Sequence, residues 1–271
     1  MKIILTSDPK FKADYSIEAG HHDGKKHFDH HGKYAGEPAP CNRLDMPYPG
    51  PFDTVQISHM DADTFIGLLR MSGNKLPGLD FNLMEQIDLN GSSVCNGRYH
   101  PTLLYMVGIG EISKSLKFPR VTAEHQDVTD IVEKMMRYQV DYILDIGQVA
   151  TGKAEKAYAD CLIKNFSDCI GVWSIGPNDP LDPSRAYDDF YIAVVVYRKH
   201  YKSVSVYCSP KNDYTISSFG TIEDIDLTNY QATIGSYRMC GHPKAAGTER
   251  TDDGWTEGDA LKIFEEIRKK L

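Results

Sequence analysis

The segment "TVQISHMDADTFIGLLRMSG" (residues 54–73) contains a strand pattern that is followed at once by a helix pattern. Its first part, "TVQISH" (54–59), has the β-branched and apolar residues that favour a buried strand. Its second part, "ADTFIGLLRMSG" (62–73), repeats apolar residues at helical spacing, and Gly73 marks the predicted end of the helix. Strands that lead directly into helices are typical of parallel sheets, so this segment predicts an α/β fold.

The same alternation continues on both sides of this segment. "KIILTSD" (2–8) predicts a first strand that ends in a polar turn. The Pro-rich stretch at 34–53 predicts a surface loop. Apolar residues at helical spacing predict four further helices, at residues 81–89, 102–116, 127–147 and 153–166.

The pattern changes after residue 166. β-branched and aromatic runs alternate with clusters of Pro, Asp, Asn and Ser, and they predict strands at 169–175, 190–198 and 203–209. A helix is predicted at 257–271. We therefore expect two domains. Residues 1–166 would form a parallel sheet with flanking helices, including a helical connector at about 125–166, and residues 167–271 a smaller, β-rich α/β domain.

Composition restricts the class of partner. The chain of 271 residues has a formal net charge of -8, which works against binding of long nucleic acid and favours a small anionic substrate held by a metal or by a few cations. No apolar run approaches the roughly 20 residues that span a bilayer. The apolar stretch among the first residues is too short for the hydrophobic region of a signal peptide. The six cysteines are scattered without a CxxC pair. We therefore expect a cytoplasmic protein with reduced thiols and no membrane partner.

Carboxylates and imidazoles cluster where predicted strands end. Asp8 closes the first strand, Asp29-His30-His31 lie in "KKHFDHHGKYAG" (25–36), and "HMDAD" provides His59, Asp61 and Asp63. The last three alternate along the chain, so an extended backbone would place their side chains on one side. The carboxyl ends of parallel strands meet at one edge of a sheet, which would bring the clusters together. Such ligands suit Mn²⁺, Fe²⁺ or Zn²⁺.

Each cluster also has a purely structural interpretation. Asp29-His30-His31 can be a solvated loop surface. Asp8 precedes Pro9 and can form a turn or cap a helix. Asp63 stands before an apolar helical run and can serve as its N-cap. His21 and His22 either assist the site or lie on an exposed hairpin tip. Against these interpretations, six of the ten histidines fall within the first 59 residues.

The "DHHG" and "HMDAD" motifs, taken together with "CGHPKAAGTER" (240–250), resemble the DHH phosphoesterase superfamily with its DHH-associated C-terminal domain. That family contains single-strand exonucleases, oligoribonucleases, cyclic-dinucleotide phosphodiesterases, exopolyphosphatases and, with a different C-terminal domain, manganese pyrophosphatases. The resemblance implies a hydrolase of phosphoester or phosphoanhydride bonds, with a metal-binding catalytic domain, a substrate-binding second domain and an active site in the cleft between them.

The resemblance also assigns roles to individual residues. Two divalent ions, Mn²⁺ or another metal, would be held by Asp8, His30, His59, Asp61, Asp63 and Asp88, with Asp8 as the bridging carboxylate. His31 would face the substrate phosphate, and Asp29 would orient the imidazoles. The substrate would be bound in the second domain by Arg238, Gly241, His242, Lys244, Ala245, Ala246 and Gly247.

The motif order departs from that of the family. The Asp-rich motif comes first there, whereas here Asp29-His30-His31 precede Asp61 and Asp63, so the sequence looks circularly permuted. The usual glycine run before His242 is reduced to Met239, Cys240 and Gly241. Two functions remain open: a metal-dependent phosphohydrolase acting on a short oligonucleotide, a nucleotide or polyphosphate, and a non-catalytic module that senses a nucleotide or a metal. Substrate identity and homodimer formation are also open.

Overall fold

The computed structural model describes residues 1–34, 36–95, 97–159, 162–167, 170–175, 193–198, 203–208, 239–242, 245–248 and 254–270. The chain forms two compact units. The first contains Met1–Asp88 and Arg98–Thr151, and the second contains Leu89–Gly97 and Gly152–Leu271. Both combine a sheet with helices, so the α/β class is confirmed. The division of the chain into catalytic and substrate-binding domains stays a prediction.

The first unit is organised around a five-stranded sheet with the order β3-β2-β4-β1-β5. Its strands are β1 Lys2–Leu5, β2 Tyr15–Ile17, β3 His27–Phe28, β4 Thr54–Ile57 and β5 Gln126–Asp127. The first four are parallel to their neighbours, and β5 pairs antiparallel with β1. The strand patterns at 2–8 and 54–59 are confirmed. The short strands β2 and β3 were not predicted.

The register places the ends of the parallel strands side by side. Leu5 pairs with Ile57, Ile57 with Ile17, and Ile17 with Phe28. All four side chains are fully buried. The residues that follow each of them in the chain therefore emerge at the same edge of the sheet, which is the usual location of ligand sites in parallel α/β folds.

Five helices begin in the first unit: α1 Ala62–Met71, α2 Phe81–Asn90, α3 Pro101–Ser115, α4 Thr129–Met136 and α5 Val140–Ala159. Of these, α1 and α4 pack with the strands in one apolar cluster. Helix α1 ends as expected, with Gly73 in the left-handed region at φ 65°. The helix predicted at 127–147 is divided into α4 and the start of α5. The helix predicted at 153–166 is wrong beyond Ala159, because residues 162–167 join a sheet.

Helix α1 is buried on almost every side. Leu68 and Met71 pack in the same apolar cluster as the strands, whereas Phe65, Ile66 and Leu69 pack with residues of the other helices, including α3 and α5. A helix that is apolar all round is typical of a buried position. The position of α1 is therefore set by the sheet on one side and by the helices on the other.

Helices α3 and α5 approach each other closely through two glycines. A Cβ atom at Gly108 would overlap the carbonyl oxygen of Ile143, and one at Gly147 would overlap that of Leu104. Only glycine leaves room for this contact.

The Pro-rich stretch at 34–53 is only partly a surface loop. Its 3₁₀ turn at Pro40–Asn42 packs against α1, and Cys41 is fully buried. Arg70 of α1 donates hydrogen bonds from Nε and Nη2 to the carbonyl oxygen of Cys41, at 3.1 and 2.7 Å. Leu44 and Phe52 are exposed, as expected of a loop. The turn is buried because α1 offers an apolar surface there.

The second unit has a six-stranded sheet and a terminal helix. The strand order is β10-β11-β9-β8-β7-β6. Among the described pairings of this sheet, only the β7–β8 pair is parallel. The elements are β6 Leu162–Ser167, β7 Ile170–Ile175, β8 Ala193–Arg198, β9 Ser203–Cys208, β10 Met239–His242, β11 Ala245–Thr248 and α6 Glu257–Lys270. The β-rich pattern and the closing helix are confirmed. None of the described helices is long and apolar enough to cross a membrane.

Candidate metal centre

Glu18 lies at the centre of a buried cluster of histidines and carboxylates. It directly follows β2, its side chain is 0% exposed, and its backbone has φ 52°. Its Oε1 lies 2.6 Å from His30 Nε2, and its Oε2 lies 2.7 Å from His59 Nε2. A non-glycine residue in the left-handed region costs roughly 1–2 kcal/mol, so the surrounding structure holds Glu18 against a local preference. One carboxylate thus joins two imidazoles.

The Asp29-His30-His31 triplet follows β3. Asp29 is buried, and its Oδ1 accepts the N–H of His31 at 2.8 Å, while its Oδ2 accepts the N–H of Gly20 at 2.5 Å. The same Oδ1 lies 3.4 Å from His31 Nδ1. Asp29 therefore fixes both the backbone and the ring of His31. The His31 side chain is 32% exposed, whereas that of His30 is 1% exposed.

His30 faces several carboxylates with one nitrogen. Its Nε2 lies 2.6 Å from Glu18 Oε1 and 3.4 Å from both Asp63 Oδ2 and Asp88 Oδ2. An N–H can donate one good hydrogen bond, so a single proton on Nε2 cannot satisfy all three oxygens. A cation among these atoms would.

The "HMDAD" segment lies after the end of β4 and runs into the first turn of α1, so its side chains do not alternate along an extended strand. Asp61 is the N-cap of α1, with Oδ1 accepting the N–H of Thr64 at 2.8 Å. The alternative in which Asp63 is the cap is therefore wrong. Asp63 lies in the first turn, fully buried, where its Oδ1 accepts the N–H of Cys41 at 2.5 Å and its Oδ2 faces His30.

The tautomer of His59 follows from its neighbours. The Ser58 hydroxyl donates to the backbone carbonyl oxygen of Glu18, which can only accept, and Ser58 Oγ lies 2.8 Å from His59 Nδ1. Ser58 Oγ must then accept from an Nδ1–H group. The other nitrogen, Nε2, faces Glu18 at 2.7 Å and Asp61 Oδ2 at 2.9 Å. A neutral His59 would turn a lone pair towards two carboxylates, so either a proton or a metal ion belongs between them.

The pKa shifts express the excess of carboxylates in this buried space. Burial alone would lower the pKa of His30, but interactions with Asp63 and Glu18 raise it to about 11. The pKa of His59 is also raised, because the charges of Asp61 and Glu18 outweigh its burial. Burial raises the pKa of Asp63, and the charge of Glu18 raises it further. The cluster thus attracts positive charge.

Two sets of side chains in the cluster have the geometry of metal ligands. Glu18, His30 and His31 offer ligand atoms within 4.8 Å of one another, and so do Glu18, His59 and Asp61. Glu18 is common to both sets, so one carboxylate could bridge two ions. Oxygen and imidazole ligands suit Mn²⁺, Fe²⁺ or Zn²⁺. Burial raises the pKa of the nearby Cys41 thiol, which opposes the thiolate form that a metal would need.

The structure brings together most of the residues assigned to the metal site, but it directs Asp8 elsewhere. His30, His59, Asp61, Asp63 and Asp88 share contacts with one another or with Glu18. The chain beyond β1 turns towards residues 122–125, because Ser7 donates its N–H to Thr122 O. Asp8 Oδ2 therefore lies 3.0 Å from His125 Nε2, and Asp8 Oδ1 accepts the N–H of Lys10. Glu18 instead lies between the imidazoles of His30 and His59.

Glu18 was not predicted as a site residue, because the short strand β2 that precedes it was not predicted either. The available signal was "YSIEAG" (15–20), a short apolar run that ends in an acidic residue before Gly20.

The predicted substrate-binding residues lie in the second unit. Gly241 and His242 belong to β10, and they pair with Ala246 and Ala245 of β11. Gly247 pairs with Cys240. Arg238 and Lys244 lie outside the described residues. The contribution of these residues to a substrate site, and a cleft between the units, stay predictions.

Comparison with known proteins gives no family assignment. No family model matches the chain, and no curated protein matches it. Among solved structures, the chain is similar to the pGpG-specific phosphodiesterase PggH from Vibrio cholerae, with 11% sequence identity and a TM-score of 0.35 over 83% of this chain and 82% of that one. A likeness at this level carries no functional conclusion. Fold and site together define an α/β protein with a buried histidine–carboxylate cluster at the carboxyl edge of its parallel strands.

Proposed function

We propose that this protein is a divalent-metal-dependent phosphohydrolase acting on a small phosphorylated compound, such as a short oligonucleotide, a nucleotide or polyphosphate. The observation that carries the proposal is the shared carboxylate of Glu18, which contacts His30 through one oxygen and His59 through the other. Further carboxylates lie beside each imidazole. This is the arrangement expected of residues that hold two divalent ions side by side.

The ligand sets follow from these contacts. His30, Asp63 and Asp88 would hold one ion with Glu18 Oε1, and His59 and Asp61 would hold the other with Glu18 Oε2. Mn²⁺ is the proposed metal, since the ligands are carboxylates and imidazoles. Bound ions of this kind lower the pKa of a water to near neutrality and neutralise charge on phosphoryl oxygens.

The solvent exposure of the remaining side chains suggests which of them would contact the substrate and which would hold the others in place. The His31 side chain is 32% exposed and can reach a substrate phosphate, whereas the His30 side chain is enclosed. Asp29 holds the His31 backbone and ring, which fixes the direction of the imidazole. His31 would therefore donate a hydrogen bond or a proton to an oxygen of the phosphate. Ser58 holds His59 through Nδ1 and keeps Nε2 directed into the cluster.

Hydrolysis assays with defined variants test the proposal. The protein with Mn²⁺ should cleave at least one member of a panel containing an aryl phosphodiester, a dinucleotide, a short oligonucleotide and polyphosphate. Loss of a ligand should cost more than the roughly 10- to 100-fold typical of residues behind the ligands, so Asp61→Asn should lower turnover by more than about 100-fold. Glu111→Gln, a surface carboxylate of α3 paired with Lys114, is the matched control.

Each outcome distinguishes between explanations. If Asp61→Asn turns over substrate at the rate of the control, the site is elsewhere and the proposal fails. If ions bind with the expected ligands but no compound in the panel is cleaved, the sensing module becomes the better explanation. If no divalent ion binds, both functions fail.

A further inference from the structure

A second group of potential metal ligands lies on the connection between β2 and β3. His21, Asp23 and His27 each offer a ligand atom, and these atoms lie within 4.8 Å of one another. His21 and Asp23 are exposed and His27 is half-buried. None of the three belongs to the ligand sets around Glu18. The proposed hydrolase function therefore leaves this group unused.

The backbone of the connection holds Asp23 in place. Its Oδ1 accepts the N–H groups of Lys25, Lys26 and His27 at 2.8, 2.8 and 2.9 Å, and the Asp23 N–H donates to His27 O at 3.0 Å. Burial opposes ionisation of Asp23, but these three hydrogen bonds outweigh it and lower its pKa far below the usual range. The described hydrogen bonds of this carboxylate all fall on Oδ1, so among the described residues Oδ2 accepts none.

The ring of His27 is also held. Ser16 Oγ lies 2.9 Å from His27 Nδ1, which fixes the ring and leaves Nε2 as the ligand nitrogen. Histidines that bind metals commonly have their second nitrogen fixed by a hydrogen bond of this kind. The ring centroid of His21 lies 4.6 Å from that of His27, with the planes inclined by 55°.

We infer that His21, Asp23 and His27 form a second, solvent-accessible site for one Zn²⁺ ion. Two imidazoles and a carboxylate favour a transition metal over Mg²⁺ or Ca²⁺, which prefer oxygen ligands. Three protein ligands leave coordination positions for water, unlike a closed structural zinc site with four. Lys25 and Lys26 contact the Asp23 carboxylate through their backbone N–H groups. The ammonium group of Lys26 lies over the Tyr15 ring, with its Nζ 5.2 Å from the ring centroid.

The ion would stiffen a connection that also supports Asp29. Gly20, immediately before His21, donates its N–H to Asp29 Oδ2 at 2.5 Å. His22, immediately after His21, accepts the N–H of Asp29 on Nδ1 at 3.2 Å. Binding at His21, Asp23 and His27 would therefore oppose local opening of the segment that fixes the start of the Asp29-His30-His31 triplet.

A Zn²⁺ titration by calorimetry tests the site in the full-length protein. The wild-type protein should bind one more equivalent of Zn²⁺ than His21→Gln, or bind that equivalent at least about tenfold more tightly, since an outright ligand is lost. His100→Gln removes a histidine that caps α3 through Nδ1, and it should titrate as the wild type does. Identical stoichiometry and affinity in the wild type and His21→Gln would overturn the inference.

A measurement on the unmodified protein removes dependence on the variant. Cu²⁺ binds nitrogen and oxygen sites more tightly than Zn²⁺. Once the added Cu²⁺ exceeds the two ions expected at the metal centre by one equivalent, it should broaden the imidazole signals of His21 and His27. Signals of His21 and His27 that stay sharp at that point would overturn the inference. At Zn²⁺ concentrations of 100 times Kd, amide exchange in the 20–27 segment should slow by up to about 100-fold if opening releases the ion. None of these readouts needs enzymatic turnover, so this site and the proposed function can fail separately.

Discussion

Replacing Gly108 by alanine should destabilise the first unit, whereas the same replacement at Gly110, two residues further along α3, should stabilise it. An added methyl group at Gly108 would overlap the backbone carbonyl oxygen of Ile143 in α5. A backbone atom in a helix cannot rotate away, so the two helices would have to separate. At Gly110, apart from its two chain neighbours and the backbone of α3 itself, no atom in the described part of the chain lies within 4 Å of the added carbon.

The comparison of the two variants isolates the steric cost. Alanine is favoured over glycine inside a helix by about 1 kcal/mol, and this gain is common to both positions. Overpacking of a close contact costs roughly 1–3 kcal/mol, and it applies to Gly108 alone. Because the common gain cancels, the free energy of unfolding of Gly108→Ala should be about 1–3 kcal/mol below that of Gly110→Ala.

The assay must report on α3 itself, because a chain with two compact units need not unfold in one step. Native-state hydrogen exchange of the α3 amides, measured by mass spectrometry, gives the local free energy of opening. The difference above corresponds to exchange that is about 5- to 150-fold faster in Gly108→Ala than in Gly110→Ala. Equal exchange rates in the two variants would show that α3 and α5 do not approach each other as closely as described. The packing of α1 against α3 would then also be in question.

Three further predictions concern the metal centre and the β2–β3 connection. Glu18→Gln should weaken Mn²⁺ binding by more than about 100-fold, because Glu18 contacts the histidines of the cluster. Asp8→Asn should change the Mn²⁺ affinity by no more than a few-fold, because Asp8 contacts His125 instead of the cluster. Titration calorimetry measures both affinities, and a larger loss in Asp8→Asn than in Glu18→Gln would return Asp8 to the set of metal ligands. Chelation of the metal should lower the unfolding free energy of a protein held at 100 times Kd by about 2.7 kcal/mol, which appears as a fall in Tm, and an unchanged Tm would argue against a folded-state site. Asp23→Ala should lower Tm at neutral pH. The pKa of Asp23 is lower in the folded state than its unfolded value of 3.8, so the ionised carboxylate stabilises the fold above that pH. This stabilisation is lost as the pH falls through the folded-state pKa. The Tm difference between Asp23→Ala and the wild type should thus stay constant down to about pH 5 and close at lower pH, and a difference that grew on acidification would contradict the assignment.

The parts of the fold that could be predicted are those long enough to show a period. The strand at 54–57 and helix α1 follow from an apolar run and from helical spacing that ends at Gly73. Strands β2 and β3 have three and two residues, too few for any alternation to be visible. The break between α4 and α5 at residues 137–139 contains neither Gly nor Pro, so the sequence carries no local signal for it.

The candidate site was predictable wherever residue types were unusual and hidden wherever geometry decides. The pairing of imidazoles with carboxylates in "DHHG" and "HMDAD" drew attention to His30, His59 and Asp61 without any structure. Glu18 resembles any surface glutamate in sequence. Its burial depends on a backbone turn at φ 52° and on the pairing of β2 between two strands that lie far apart in the chain. A pattern confined to neighbouring residues does not contain that information.

The place of β2 in the sheet has a metric consequence. β2 pairs with β3 on one side and with β4 on the other. Adjacent strands are about 4.8 Å apart, so the segments that carry His30 and His59 leave the sheet roughly 10 Å from each other. The hydrogen bonds of the sheet therefore fix the distance between these two segments. Glu18, which follows β2, lies midway between them. A one-residue slip of β2 would turn Glu18 to the opposite face and leave the two imidazoles without a common partner.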